Sequence, residues 1–166
     1  GMENVQFVVN ISPTDEFTDK GNDKVEFMFS ANKNRTVQAV AEIASGGEIS
    51  RLMLAIKSLL ISKSDLPTII FDEIDTGVSG EIAGRMGEIM KKMSHSTQVI
   101  TITHLPQIAS KGTAHYLVYK DSSGTSTETR IQQLNPEARI QELAAMLSGK
   151  TVTEAALLNA KDLLNN

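Results

Sequence analysis

Thr68-Ile69-Ile70-Phe71-Asp72-Glu73 is a short apolar run that ends on two adjacent carboxylates. Its continuous apolar character reads as a strand buried on both faces, as strands of parallel sheets are. Downstream, Ile82, Met86, Ile89, Met90 and Met93 fall on one face of a helix predicted over Ser79–Met93. Gly80, Gly84 and Gly87 weaken that helix by up to about 1 kcal/mol each where they are interior, so close packing on the sheet is expected to account for them. Gln98–Thr103 is the next strand. Strand, helix and strand make one βαβ unit, whose strands end on Asp72-Glu73 and on His104. Ligands of open α/β sheets bind beyond the carboxyl ends of the strands.

Working outward from this unit, Val5–Ile11 and Val25–Ser30 read as two strands that pair across a long polar connection, Ser12–Lys24. Ile49, Leu52, Met53, Ile56, Leu59 and Leu60 make one face of a long helix that ends near Ser62, and Ser45 with Glu48 forms a capping-box pattern before it. His115–Lys120 and Glu128–Leu134 form an antiparallel hairpin with its tip at Asp121–Ser126. Asn135 and Pro136 open a helix with Ile140, Leu143, Ala144 and Leu147 on its face, which Gly149 stops. Thr151 and Glu154 make a second capping box for a last helix to about Leu164, with Ala155, Leu158 and Leu163 among its apolar positions. The fold class is α/β: a mainly parallel sheet with flanking helices, plus an antiparallel hairpin.

Composition narrows the function classes. The 166 residues carry 16 Lys and Arg against 20 Asp and Glu, a net charge of −4, with 40% hydrophobic and 22% charged residues. A length of about 150 residues suggests one domain, here 1–166, able to bury about 70% of its unfolded surface. No apolar run approaches the ~20 residues of a membrane span, and the first twenty residues lack the pattern of a secretory signal. With no cysteine, disulfides, a Cys-ligated zinc and a thiol nucleophile are excluded. The mild negative charge argues against a whole-surface nucleic-acid binder. Aromatic content of 4% with no Trp leaves no platform for base stacking.

Candidate chemistry concentrates at the strand ends. Asp72 can hold Mg²⁺ through water while phosphates complete the shell, and Glu73 can orient or deprotonate an attacking water; a solvated acidic turn is the alternative reading. His104 can hydrogen-bond a phosphate oxygen or simply cap the local chain. His95 and His115 have no assigned function. Ser45-Gly46-Gly47-Glu48 opens a helix, whose free N–H groups and dipole suit an anion, although a capped helix alone has the same pattern. Gly149-Lys150-Thr151 resembles the end of a phosphate-binding P-loop, but Ala144 stands where the first glycine is required and a helix precedes it. The residues therefore offer Mg²⁺-holding, water-activating and phosphate-sensing groups without a phosphate cradle, which is half of a nucleotide site.

Three strings carry a family resemblance: IASGGEISRLMLAIK (43–57), PTIIFDEIDTGVSGEIA (67–83) and QVITITHLPQIAS (98–110). Together they resemble the C-terminal part of the ATPase head of the RecN family, bacterial SMC-like DNA repair proteins, over roughly Val25 to Leu164. The SGGE and DE pairs fit any ABC-type ATPase, whereas SGGEISR, DEIDTGVSG and THLPQIA together are far more specific. A transporter ATPase usually has Gln in place of Glu48 and Pro in place of Ile74.

The resemblance implies the C-terminal lobe of an ABC/SMC-type P-loop ATPase head, with ATP and Mg²⁺ as cofactors. Ser45, Gly46, Gly47 and Glu48 match the signature that contacts the γ-phosphate held by a second head of a homodimer. Asp72 matches the Walker B Asp that supports Mg²⁺, Glu73 the catalytic Glu, and His104 the switch His. Thr76, Gly77, Val78 and Ser79 match the D-loop at the dimer interface, where many ABC proteins have Asp in place of Ser79. Asp75 has no assigned role. The Walker A loop and coiled coil lie outside these residues, so the N-terminal part of the same protein is an expected partner. DNA is engaged through the full-length protein, with no membrane, in a cytoplasmic, nucleoid-associated setting. The competing functional readings are a Mg²⁺-dependent phosphodiesterase built on Asp72, Glu73, Asp75 and His104, a non-catalytic dimerisation module, and a lobe of another ABC-type ATPase.

Overall fold

The computed structural model describes residues 4–31, 36–42, 46–61, 66–122, 126–149 and 151–165. The chain groups into two compact units, residues 1–55 and 56–166. Among the described residues, no helix is long and apolar enough to cross a membrane.

The first unit is built on an antiparallel sheet of β1 (Gln6–Thr18), β2 (Gly21–Ser30) and β3 (Gln38–Ala39), in that order. The strands pair as their alternation predicts, from Gln6↔Ser30 to Pro13↔Asp23. The long connection does not exist. Both strands run on through the polar segment to a two-residue turn, with Thr18 opposite Gly21. Side chains replace apolar packing there: Thr14 Oγ1 donates to Asn22 O at 3.0 Å, Asn22 Nδ2 donates to Thr14 O at 3.4 Å, and Thr18 Oγ1 donates to Gly21 O at 2.7 Å. Gly21 supplies the positive φ of 98° that the turn needs. Pro13 is accommodated because β1 is an edge strand and its register shifts between Pro13 and Thr18. Phe29 is buried, and the Phe7 and Phe27 rings stack at 6.0 Å between centroids on the exposed part of the ribbon.

Helix α1 (Gly46–Leu60) begins in this unit, and its last residues, from Ile56, belong to the second. Its buried residues are Leu52 and Leu54, while Met53, Leu59 and Leu60 of the expected apolar face are exposed. Ser45, and with it the predicted capping box, lies outside the described residues, as does the predicted end at Ser62.

In the second unit β4 (Thr68–Asp72) and β5 (Gln98–Ile102) pair in parallel, joined by α2 (Gly80–Met93). The α/β class holds, with parallel pairing confined to these two strands among the described residues. The expectation that β4 is buried on both faces is corrected: Phe71 is buried, whereas Ile70, Ile100 and Ile102 are exposed, because α2 covers only one face of this pair. A four-residue helix unforeseen in the sequence, α3 (Pro106–Ala109), follows β5. Gly87 is explained by α3 rather than by the sheet. A Cβ there would lie 3.1 Å from Gln107 O and 3.4 Å from Ile108 Cα, whereas a Cβ at Gly84 meets nothing within 4 Å.

The antiparallel hairpin forms from β6 (Tyr116–Asp121) and β7 (Glu128–Gln133). Helices α4 (Pro136–Ser148) and α5 (Glu154–Asn165) enclose a core of Leu143, Ala144, Ala156 and Ala160. Asn135 caps α4 as expected, its Oδ1 accepting from Ala138 N at 2.8 Å, and Gly149 ends it with φ 76°. At α5 the cap is Thr153 rather than Thr151: Thr153 Oγ1 accepts from Ala156 N at 3.2 Å because Thr153 directly precedes the first helical residue. Leu158 is exposed, and the small pair Ala156 and Ala160 faces α4 instead, which allows close helix packing.

Two of the three glycines of α2, Gly84 and Gly87, separate packing from propensity. Gly84→Ala should raise stability by about 1 kcal/mol, the helix-propensity gain alone. Gly87→Ala should lower it by about 1–2 kcal/mol, because α2 must move off the α3 backbone. Urea midpoints of the two variants should move in opposite directions; a shared direction would refute the packing account of Gly87.

Candidate functional site

The parallel register decides where the chemistry sits. Asp72 lies opposite Ile102, so Asp72-Glu73 and Thr103-His104 leave adjacent strand ends on one edge. The ladder continues one step further, with Glu73 N donating to Ile102 O at 3.2 Å. Asp72, Glu73 and His104 are all exposed at this edge. No ion pair ties Asp72 or Glu73 to a described residue, which leaves both carboxylates open to a ligand, an attacking water or a hydrated cation.

Glu73 adopts φ 47°, the single positive φ among non-glycine described residues. A side chain in this region is strained by about 1–3 kcal/mol. The chain holds it there with local bonds: Glu73 O accepts from Thr76 N at 3.2 Å and from Thr76 Oγ1 at 2.9 Å, and Val78 N donates to Asp75 O at 3.0 Å. Ile74 and Val78 are buried and anchor the turn, while Thr76, Gly77 and Ser79 are exposed. Gly77 carries φ 72°. Ser79 stands at the N-cap of α2 without a side-chain cap bond.

Thr103 was not legible as a member of this edge, and Asp75, offered in the sequence only as a metal ligand, takes a different place. Asp75 is fully buried, and Thr103 Oγ1 donates to its Oδ2. The same hydroxyl accepts from Leu105 N at 3.0 Å, which stops β5 one residue earlier than expected and turns the chain at His104. His104 Nδ1 lies 3.6 Å from Asp75 Oδ2. Among the described residues no group of three or more His, Asp or Glu side chains is arranged to hold a metal ion. The four-residue metal cluster of the phosphodiesterase reading is therefore not formed, because Asp75 is buried against Thr103. A single exposed Asp72 fits the more modest demand of a Mg²⁺ held mainly by water and phosphate.

Gly46, Gly47 and Glu48 form the first turn of α1, in the other unit, with Gly46 exposed. Ser45 is outside the described residues.

The segment after α3 is held from α4. The Arg139 guanidinium donates to Ser110 O at 2.9 Å and also to the carbonyls of Ala109 and Gly112. Lys111 pairs with Glu88 at 2.6 Å, and that hydrogen bond and charge hold the Glu88 carboxyl below its ordinary range. His115 is half-buried nearby, and its carbonyl accepts from Leu134 N at 2.9 Å. Burial first, and the Arg139 charge second, lower its pKa below the ordinary 6.5.

No family model matches the chain. Curated relatives do: DNA repair protein RecN of Rickettsia bellii is 47% identical over 163 residues, 98% of this chain and 30% of the relative. RecN of Vibrio cholerae is 42% identical over 164 residues, and that of Bacillus subtilis 41% identical over 157. The chain is homologous to RecN. It spans less than a third of the RecN proteins it matches, 30% of the first and 27% of the Bacillus protein. The fold is that of SMC ATPase heads. An Smc head domain with coiled coil and joint from Pyrococcus yayanosii superimposes with TM-score 0.66 at 20% identity, over 86% of this chain and 26% of that one. A chain from work on ATP-driven dimerization and DNA-stimulated activation of SMC ATPases does so with TM-score 0.59 at 17% identity, over 87% of this chain and 84% of that one.

Two outcomes check this geometry. Glu73→Gly should stabilise the chain by about 1 kcal/mol by relieving the positive φ, read as a higher urea midpoint; a lower midpoint would refute the strain. For His115, a lowered native pKa means that the unfolded chain binds the extra proton first. Stability should be complete above about pH 6.5 and fall as pH drops from there toward the lowered native value. His115→Gln should flatten that part of the stability–pH curve, and an unchanged slope would exclude His115 as its source.

Proposed function

We propose that residues 1–166 act as one lobe of the ATP-hydrolysing head of a RecN-type DNA repair protein, its C-terminal part, carrying the signature, Walker B and switch-His groups. The observation that supports this most directly is the level ending of β4 and β5, which brings Asp72, Glu73 and His104 to one edge. Homology to RecN and the SMC-head fold support reading that edge as part of a nucleotide site.

In this reading Asp72 holds the hydration shell of Mg²⁺, and Glu73 orients and deprotonates the water that attacks the γ-phosphate. His104 reads the same phosphate from the neighbouring strand end. ATP with Mg²⁺ supplies the phosphoanhydride bond and the charge neutralisation its cleavage requires. The phosphate loop comes from the N-terminal part of the same protein, since the sequence contains no complete GxxxxGK[ST] pattern. Ser45, Gly46, Gly47 and Glu48 serve the nucleotide of a second head in a homodimer, and Thr76, Gly77, Val78 and Ser79 line the contact between heads. Exposed apolar residues on the bare face of β4 and β5 suit cover by the rest of the head. The assembly acts in recombinational repair of double-strand breaks, engaging DNA through the full-length protein, in the bacterial cytoplasm at the nucleoid.

The chain alone should hydrolyse almost no ATP. Mixed with a separately produced N-terminal part bearing the phosphate loop, it should gain turnover. Glu73→Gln should then reduce kcat by about 100-fold or more while nucleotide binding persists. Turnover by the chain alone, or equal kcat in parent and Glu73→Gln complexes, would overturn the assignment.

A further inference from the structure

Asp75 is the titratable residue of this edge that the proposed chemistry leaves unused. It is 0% exposed, between buried Ile74 and the exposed Thr76-Gly77 turn. One carboxylate oxygen, Oδ2, accepts the Thr103 hydroxyl. The other, Oδ1, has no hydrogen-bond partner among the described residues. A buried carboxylate left half-satisfied is costly and calls for a donor. The His104 ring stands beside this carboxylate, with Nδ1 at 3.6 Å from Oδ2, the oxygen that Thr103 anchors. That separation is in ion-pair range, and a movement of roughly 0.7 Å closes it to a hydrogen bond. The ring is 67% exposed and free to make it.

We propose that Asp75 is a positioning residue for His104: its buried carboxylate, anchored by Thr103, holds the imidazole through Nδ1 and leaves Nε2 as the atom that meets the phosphate. An acceptor facing Nδ1 requires the proton on that nitrogen, whatever the charge of the ring, so Asp75 selects both orientation and tautomer. The same carboxylate belongs to the turn that starts at Glu73, whose O accepts from Thr76 N and whose neighbour Asp75 O accepts from Val78 N. One buried group thus ties the water-activating turn on one strand end to the phosphate-reading His on the other. The catalytic consequence rests on the function proposed above; the tautomer does not.

The test has two arms. In the chain itself, long-range ¹⁵N–¹H correlation of the three histidines, at a pH where the rings are neutral, should show the His104 proton on Nδ1. In Asp75→Ala it should move to Nε2. A proton on Nε2 in the parent overturns the proposal whether or not the variant folds, and so does a His104 tautomer unchanged in a folded Asp75→Ala. In the complex with the N-terminal part, Asp75→Ala should lower kcat by about 10- to 100-fold, the usual cost of losing a group that orients a functional ligand, with KM for ATP changed less than about 3-fold. Added to His104→Ala it should cost nothing further; independent, multiplying losses would overturn the proposal. If the complex has no Glu73-dependent turnover, the head assignment fails and the tautomer arm still decides the role of Asp75.

Discussion

Two parallel strands in register must end level, and the candidate site follows from that constraint. Asp72 faces Ile102, so the next residues of both strands emerge side by side. The pairing is made by backbone bonds and by apolar residues of little individual distinction. Its consequence is chemical: an acidic pair and an imidazole distant in sequence share one edge of the second unit. A slip of one residue in β5 would turn His104 to the other face and break the Glu73–Ile102 bond that extends the ladder.

Beyond the strand ends, the chain places strain where it places chemistry. Glu73 is held at a φ that a glycine would adopt more easily, by a turn whose bonds come from Thr76 and Val78. The neighbouring Asp75 is buried with one oxygen unpaired among the described residues. Both features cost stability, and the helices of the same unit offset it. The α4–α5 core and the close approach of α2 to α3 at Gly87 are well packed and contain no residue of the proposed site. The packed core and the proposed site are therefore carried by different residues, so substitutions at Glu73 need not weaken the fold.

Much of this was legible in the sequence. The alternating and continuous apolar runs located β4, β5, β6 and β7, and cap chemistry at Asn135 and Gly149 located both ends of α4. The shared edge of the candidate residues was legible because Asp72-Glu73 and His104 stand at the ends of strands. What escaped was set by polar groups and by small residues. The β1–β2 ribbon extends through a polar stretch on the strength of Thr14, Asn22 and Thr18 side-chain bonds, which periodicity does not register. The packed face of α5 was not legible because Ala156 and Ala160 make the contact, and small residues are nearly silent in an apolar count. The burial of Asp75 escaped because nothing in a run of charged and polar letters marks one of them as buried; only the turn at Glu73, bringing Ile74 and Val78 inward, does so.

The exposed apolar face of the β4–β5 pair bears on how the edge proposed as a nucleotide site would be completed. Ile70, Ile100 and Ile102 lie open on a sheet whose other side is covered by α2. Isolated apolar side chains on a surface need no explanation, but three on neighbouring positions of two paired strands form one continuous strip. A strip of this kind is stabilised by covering it, and its cover must lie against the same strand pair that carries Asp72, Glu73 and His104. If the phosphate loop arrives on that cover, burial of the strip and completion of the nucleotide site become one event. A group such as Glu73, strained and solvent-exposed while the site is incomplete, then acquires a substrate only when the apolar face has been buried. In the head proposed above, hydrolysis would in this way be conditional on assembly through the ordinary hydrophobic effect, with no separate switch required.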